Sequence, residues 1–190
     1  MKTQTTLLIA ALSLLSTQIE AAVVNNHVYI DPPSQTLQIG DIFSVNVIGE
    51  NFSLGLDGGS FDLAFNSSIL QADSVSLNTA VWNFAAVKGS IDNNAGRIDF
   101  TDFAQFGVNT TNTTFNIATF SFRAISAGNS PLTLILNDND PFATGGEIAP
   151  INFSQASVNV AAVPVPAAFW LFGSALLGGL SLRGRKINQS

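Results

Sequence analysis

Few side chains in this sequence could act as a nucleophile or a general base. The chain contains no cysteine, which excludes a thiolate nucleophile, a disulfide and a thiolate zinc site. His27 is the single histidine, so a Ser-His-Asp triad would have to use it. No Gly-x-Ser-x-Gly motif accompanies His27, and it lies on the first predicted strand. We therefore expect His27 to be an ordinary strand residue, and we predict no catalytic residues.

Carboxylates are the other candidates for chemistry. Glycoside hydrolysis needs one carboxylic acid and one ionised carboxylate across a cleft, and Asp99 and Asp102 are close enough in sequence to form such a pair. Their separation is odd, so on a regular strand they point to opposite faces unless a bulge intervenes. Asp138 with Asp140 is the second pair that a hydrolase could use. The spacing favours solvent-facing carboxylates over a catalytic pair.

The segment "NDNDPFATGGE" is the best candidate for a metal site. Ca²⁺ prefers several oxygen ligands, and this segment supplies Asp138, Asp140 and Glu147. It does not match the EF-hand template, because Phe142 occupies a ligand position and the glycines come too late. Calcium is thus the one cofactor that the sequence suggests, and a flexible acidic loop is the alternative.

Charge excludes some partners. Residues 22–162 hold twelve of the thirteen acidic residues and three of the seven basic ones, a formal charge of −9. Phosphate backbones repel such a region, so nucleic acid is excluded as a partner. A chain of 190 residues is long enough for one domain of ordinary size.

The elements that must position these residues are strands. Apolar residues alternate with polar ones in "FSVNV", "SFDLAFN", "ATFSFRA" and "PLTLILN", and clusters of Asn, Gly, Asp and Ser separate these segments. The pattern predicts roughly seven to nine strands in an all-β, antiparallel jelly-roll β-sandwich. The predicted core residues are Phe43, Val45, Val47, Phe61, Leu63, Phe65, Phe120, Phe122, Leu132, Leu134 and Leu136.

Three further aromatic residues could stack on sugars, namely Tyr29, Trp82 and Phe84. A stacking platform needs exposed rings. Trp82 and Phe84 share parity in "AVWNFAAV", so we expect both in the core. Carbohydrate binding remains an alternative whose residues the sequence does not identify.

The first residues are typical of an export signal. Residues 1–21 contain one lysine, then an apolar run from Leu7 to Leu15, and end in small residues. The run is too short to span a bilayer, which needs about 20 apolar residues. We therefore predict a cleaved secretory signal peptide at 1–21.

A second apolar run stands near the end of the chain. Residues 167–182 carry no charge, and Arg183, Arg185 and Lys186 follow directly. We predict a transmembrane helix at 167–182 and a basic stop-transfer tail at 183–186. The positive-inside rule keeps this tail cytoplasmic and the preceding domain outside.

The order of these parts resembles a known sorting signal. The motif Val163, Pro164, Val165, Pro166, Ala167, followed by the apolar run and the basic tail, looks like the PEP-CTERM signal in its VPxPA variant. The resemblance implies that residues 163–190 are handled by an exosortase, a membrane protease of Gram-negative bacteria that make exopolysaccharide. A permanent C-terminal anchor is the alternative, because an apolar tail can be retained or removed.

The middle region carries a second resemblance. In order, "LQIGDIFSVNVIGEN", "GLDGGSFDLAFNSSILQADSV", "GSIDNNAGRIDFTDF" and "IATFSFRAISAGNSPLTL" resemble a cohesin-type domain, a jelly-roll sandwich related to carbohydrate-binding modules. The resemblance assigns residues 22–162 to this fold. It implies binding through an exposed sheet face, as cohesins bind dockerins, but no dockerin-contacting set can be assigned here.

Together these features predict an exported, non-catalytic binding or structural module. The implied partners are the secretion machinery and an exosortase, and then an exopolysaccharide or a surface protein in the extracellular matrix of a biofilm. The implied location is the cell surface, after membrane attachment through the C-terminal helix. A carbohydrate-binding protein or a secreted hydrolase of matrix polysaccharide is the alternative.

Overall fold

The computed structural model of the chain describes residues 26–162. The predicted signal peptide, the sorting motif, the transmembrane helix and the basic tail all lie outside the described residues. Within residues 26–162, no helix is long and apolar enough to cross a membrane.

The described residues fold into strands and loops, with no helix among them, which confirms the all-β prediction. The alternating segments of the sequence form the longer strands, and several strands of two or three residues line the loops. The strands are β1 (His27–Asp31), β2 (Ser34–Gln38), β3 (Ile42–Glu50), β4 (Gly58–Ala64), β5 (Leu70–Leu77), β6 (Ala85–Val87), β7 (Ser90–Asp92), β8 (Arg97–Ala104), β9 (Phe115–Ala124), β10 (Gly128–Leu136), β11 (Ala143–Thr144), β12 (Glu147–Ile148), β13 (Asn152–Ser154) and β14 (Ala156–Ala161).

These strands form the two sheets of a sandwich. One sheet has five strands in the order β13-β1-β3-β9-β5. The other has nine, with β12-β11-β4-β10-β14-β2 as its path and with β6 and β7 joined through β8 to β4. Most neighbours are antiparallel, as predicted, but β1 pairs with β13 and β2 pairs with β14 in parallel. The chain passes from the five-stranded sheet to the nine-stranded sheet between β1 and β2. In each sheet, one of these two strands pairs in parallel with a strand from the C-terminal part of the domain, β13 or β14.

The core lies between the sheets and is rich in phenylalanine. Phe61 packs edge-to-face on Phe120 with ring centroids 6.1 Å apart, and this contact joins the two sheets. Among the core residues predicted from the four alternating segments, all but one are buried, with an exposed fraction of at most 8%. The exception is Leu136, which is 44% exposed because β10 ends there.

The two ends of the sandwich are built differently. At the exit end, where the chain leaves the domain after β14, the β2–β3 and β9–β10 connections meet. Gly40 N–H donates to Ala124 O at 2.8 Å, and Ala124 N–H donates to Asp41 O at 2.9 Å. Gly40 has φ +97°, a left-handed conformation that favours glycine. The opposite end, called the loop end here, collects the long connections at 51–57, 78–84, 105–114 and 137–151.

One edge of the five-stranded sheet is covered by a side chain. Strand β5 is the last strand of that sheet. Asn93, in the turn between β7 and β8, accepts the Ala72 N–H at 2.7 Å and donates to Ala72 O at 3.0 Å. Because Ala72 lies in β5, the Asn93 amide occupies the position at which another strand would bind this residue.

Candidate functional site

Strand β8 carries the two aspartates that sequence spacing assigned to opposite faces unless a bulge intervened, and a bulge does intervene. The ladder between β4 and β8 shifts register, and Phe100 has φ +57° at the irregularity. Ile98 and Thr101 are both buried although three positions apart, because the bulge inserts an extra residue between them. Asp99 and Asp102 therefore share the outer face of the sheet.

On one side of the bulge, carboxylates surround an arginine. Asp62 of β4 is buried and accepts hydrogen bonds from Arg97 Nη2 at 2.5 Å, Phe100 N–H at 2.6 Å and Asn137 Nδ2 at 2.9 Å. Arg97 also forms an ion pair with Asp99. Burial raises the pKa of Asp62, but these hydrogen bonds and the charge of Arg97 outweigh it and hold that pKa below its ordinary value. Asp62 is thus ionised, and in the Asp62–Arg97–Asp99 cluster both carboxylates are paired with the arginine.

On the other side of the bulge, two carboxylates meet each other. Burial raises the pKa of Asp102, and the neighbouring carboxylate of Asp140 raises it further. Asp102 Oδ1 is buried and has no hydrogen-bond partner among the described residues. The structure thus takes one member from each carboxylate pair considered for a hydrolase and places these two together. Asp140 and Asp57 line an open cleft of about 250 Å³ at the loop end.

The candidate calcium segment is anchored to the sandwich. Ser60 of β4 binds Asp140 O through both its N–H, at 2.7 Å, and its hydroxyl, at 2.8 Å. Phe142 is fully buried, with its ring centroid 5.4 Å from that of Phe103. A Cβ at Gly59 would lie 2.7 Å from Phe142 Cα, so glycine is needed for this close approach. The segment at 137–142 is therefore held against the sheet rather than loose.

The three candidate metal ligands do not form a cluster. Asp138 and Glu147 are exposed, and Asp140 faces Asp102. Within residues 26–162, no three His, Asp or Glu side chains are grouped as a metal ion would require. Calcium binding by these residues therefore stays a prediction.

The imidazole of His27 lies between a carboxylate and a hydroxyl, which is the order of groups in a Ser-His-Asp triad. Its Nδ1 is 3.0 Å from Glu50 Oε1, and its Nε2 is 2.8 Å from Ser154 Oγ. The three residues belong to β1, β3 and β13, adjacent strands of one sheet, and lie across its outer face. Acyl transfer also needs main-chain N–H groups aimed at an oxyanion, for which a sheet face with its ladder bonds in place is a poor setting. The arrangement is best explained as two side-chain hydrogen bonds that link β1 to its neighbouring strands β3 and β13.

The loop end carries the most exposed large apolar side chains of the described residues. Phe84 is 79% and Phe106 is 82% exposed. Asn83 fixes their connections, because its Nδ2 donates to Phe106 O at 3.1 Å and its Oδ1 accepts Phe106 N–H at 2.8 Å. Leu54 and Ile148, 70% and 75% exposed, lie in other connections at the same end.

Of the two aromatic residues expected in the core near here, only Trp82 is buried. It is 1% exposed, and its indole N–H donates to Asn116 O at 3.2 Å. The parity argument for Phe84 is wrong because β6 begins only at Ala85, so the residues before it follow a turn and not a strand. The third candidate, Tyr29, is half-buried, and its ring stacks on His27 with centroids 5.0 Å apart.

Five acidic residues lie at the loop end, the end that also carries the exposed apolar side chains. Register places them there, since β3 ends at the loop end and Gly58 at the start of β4 pairs with Ala143 of β11. Asp57 Oδ2 accepts the Gly146 N–H at 2.8 Å, which ties two of the loops together. The acidic residues are Glu50, Asp57, Asp138, Asp140 and Glu147. The loop end therefore carries both acidic residues and exposed apolar side chains.

Solved structures with the same fold are cohesin domains. CaCohA2 from Clostridium acetobutylicum is 17% identical with a TM-score of 0.58, over 72% of this chain and 92% of that chain. The cohesin of the Coh-OlpC-Doc435 cohesin–dockerin complex from Clostridium thermocellum is 16% identical with a TM-score of 0.61, over 77% and 99%. A non-cellulosomal cohesin from the archaeon Archaeoglobus fulgidus is 13% identical with a TM-score of 0.55, over 77% and 97%. These similarities confirm the predicted cohesin-like sandwich.

No protein-family model matches the sequence, and no curated protein matches it significantly. At sequence identities this low, the structural similarity establishes the fold and not the ligand.

Proposed function

We propose that residues 26–162 form a non-catalytic binding module that is exported and presents its loop end to a partner. One observation carries this proposal. Leu54, Phe84, Phe106 and Ile148 are 70–82% exposed and lie at the same end of the sandwich. Clustered exposed apolar side chains commonly mark interaction sites, and aromatic residues dominate the binding energy of many interfaces.

The charge around these side chains indicates the chemistry of the partner. The loop end is acidic, whereas Arg97 and Arg123, two of the three basic residues of the domain, form ion pairs elsewhere. A surface that carries both acidic groups and exposed apolar side chains complements a protein surface with apolar and basic groups. The cohesins in two of the similar solved structures are themselves in complexes with dockerin proteins, which supports a protein partner.

Export and sorting form the second part of the proposal. The secretory signal at 1–21 directs the chain across the inner membrane, and the sorting signal at 163–190 delivers it to an exosortase. The module then acts at the cell surface or in the extracellular matrix of a bacterium that makes exopolysaccharide, where it contributes to biofilm adhesion. The resemblance of the Val-Pro-Val-Pro-Ala motif to a PEP-CTERM signal supports this part.

A matrix polysaccharide is the second candidate partner. The exposed rings of Phe84 and Phe106 meet the requirement for stacking on sugars, which the sequence alone did not reveal. A hydrolase would have to use the Asp102–Asp140 pair, since both carboxylates of the Asp62–Arg97–Asp99 cluster are paired with the arginine.

A binding assay with matched variants tests the proposed surface. Residues 22–162 and the triple variant Leu54→Ser, Phe84→Ser, Phe106→Ser are immobilised and exposed to native envelope proteins and, separately, to matrix polysaccharide. The control variant is Ile42→Ser with Ile125→Ser at the exit end. We expect the loop-end variant alone to lose a protein partner, and we expect salt to weaken that binding. Equal retention by all three proteins would refute the loop end as the binding surface.

Two further measurements test the rest of the proposal. A reducing-sugar assay on the same polysaccharide checks for hydrolysis, and sugar release that disappears in Asp102→Asn would replace the binding module with an enzyme. Intact mass of the protein from its native envelope checks both processing steps. We expect the loss of residues 1–21 and, where an exosortase is present, of the chain from about the 163–166 motif onward. Peptides containing Arg183 to Lys186 in the extracellular fraction would contradict the sorting step.

A further inference from the structure

The exit end carries an apolar patch of its own. Ile39, Ile42 and Ile125 are 40%, 60% and 41% exposed. The bonds between the β2–β3 and β9–β10 connections bring their main chains together, and Ile42 pairs with Arg123, two residues before Ile125. We call these three residues the isoleucine patch.

The chain leaves the domain beside this patch. Ala161 at the end of β14 pairs with Gln38, the residue before Ile39. Only residues 163–166 separate the described domain from the uncharged run that starts at Ala167. The five residue steps from residue 162 to residue 167 span at most about 18 Å, which limits how far the start of this run can lie from the isoleucine patch.

The distribution of charge favours the same orientation. Along strand β3, Ile42 of the patch and Glu50 at the loop end are eight positions apart, or roughly 27 Å. Two charged groups near the patch already have polar partners. Asp41 Oδ2 accepts the Gln38 N–H at 2.8 Å, and Arg123 Nη2 forms an ion pair with Asp73 Oδ2 at 3.4 Å. The exit end is therefore the end that can approach a bilayer with least desolvation and least repulsion from anionic headgroups.

We propose that the isoleucine patch rests in the interfacial layer of the bilayer that holds residues 167–182, for as long as that segment remains attached. This inference rests on the membrane segment of the proposed function. Apolar side chains at an interface bind it in proportion to the area that they bury, and the short tether keeps them within reach. The contact holds residues 163–166 at the membrane surface and points the loop end away from it, toward a partner.

Single-cysteine labelling of the full chain tests the contact, because the protein has no cysteine of its own. Ile42→Cys, Ile148→Cys and Ser174→Cys each receive an environment-sensitive fluorophore, and the proteins are reconstituted into phosphatidylcholine vesicles with and without doxyl-labelled lipid. Ile148 is the matched control, an exposed isoleucine at the opposite end. We expect doxyl lipid to quench the label at position 42 about threefold more than the label at 148, in keeping with shallow interfacial burial.

A second variant separates contact from mere proximity. Adding Ile39→Ser and Ile125→Ser to the Ile42→Cys chain removes the rest of the patch and leaves the tether unchanged. A clear fall in quenching at position 42 supports the contact, and unchanged quenching overturns it. Quenching at position 174 without quenching at 42 also overturns the inference while the membrane segment stands. Absence of quenching at 174 overturns the membrane segment and the inference together.

Discussion

The loop end and the exit end belong to one sandwich, but the connections at the loop end bury side chains, whereas the β2–β3 and β9–β10 connections at the exit end bury none. At the exit end, main-chain hydrogen bonds between short connections fix the geometry, as between Gly40 and Ala124. At the loop end, bonds from side chains add to main-chain bonds such as that from Ser60 N–H to Asp140 O. Thr110 Oγ1 accepts the Leu56 N–H at 2.7 Å, and Ser60 fixes the 137–142 segment.

This difference predicts at which end of the sandwich single substitutions change stability most. An end held by its main chain tolerates most side chains, whereas an end held by side chains depends on particular residues. The loop end should therefore respond strongly to single substitutions and the exit end weakly. Four substitutions test this contrast, and they are taken in order of decreasing change in stability.

Phe142→Ala should have the largest effect. The ring is fully buried against Phe103 and Phe153 and anchors the 137–142 segment, so its loss leaves a cavity. We expect the free energy of unfolding to fall by about 3 to 5 kcal/mol. Urea unfolding of residues 22–162, followed by the fluorescence of Trp82, measures the change. A loss below about 1 kcal/mol would mean that Phe142 is no anchor.

Asp62→Asn tests the satisfied side of the β8 bulge. Asp62 is 2% exposed, and the variant loses its ion pair with Arg97, so we expect a loss of about 2 to 3 kcal/mol at pH 7. Because the folded-state pKa of Asp62 is lowered, its contribution is complete above the ordinary value of about 4 and is lost as pH falls below it. Unfolding curves at pH 7 and pH 3 should therefore show the difference from wild type shrinking. A constant difference would point to packing instead of charge.

Asp102→Asn should change stability in the opposite direction. Because the folded-state pKa of Asp102 is raised, its ionisation at neutral pH destabilises the fold, and that penalty disappears below its ordinary pKa. We expect the variant to be more stable than wild type by about 1 kcal/mol at pH 7 and equal to it near pH 3. Asp99→Asn is the control, since Asp99 pairs with Arg97 and should not show this gain.

Ile42→Ser should have the smallest effect. Its side chain is 60% exposed, and main-chain bonds hold the connections around it. We expect a change below about 0.5 kcal/mol in the same urea assay. A loss above 1 kcal/mol would remove the contrast between the two ends.

Hydrophobic alternation predicted the sandwich because successive side chains of a long strand point in turn to the core and to the solvent. Phe43, Phe61 and Phe120 are core residues for that reason. The same argument failed wherever the backbone departs from a regular strand. It misplaced Phe84, which precedes its strand, and Asp102, which follows a bulge that no residue type announces.

The surface of the loop end could not be predicted because it depends on contacts between distant loops. Phe142 interrupted the calcium template in the sequence, and its role as a buried anchor needs Phe103 and Gly59 beside it. The pairing of Asp102 with Asp140 likewise joins β8 to a loop more than thirty residues later. Periodicity describes neighbours within a strand and carries no information about such pairs.

The side-chain amide of Asn93 has a consequence for aggregation of the domain at high concentration. An unprotected edge strand recruits strands from other molecules and so starts aggregation. By binding both main-chain groups of Ala72, Asn93 interrupts the recruiting edge of β5 near its start. A hydrophobic residue at position 93 would leave the main-chain groups of Ala72 free to pair with another strand. The domain would then form edge-to-edge assemblies at high concentration.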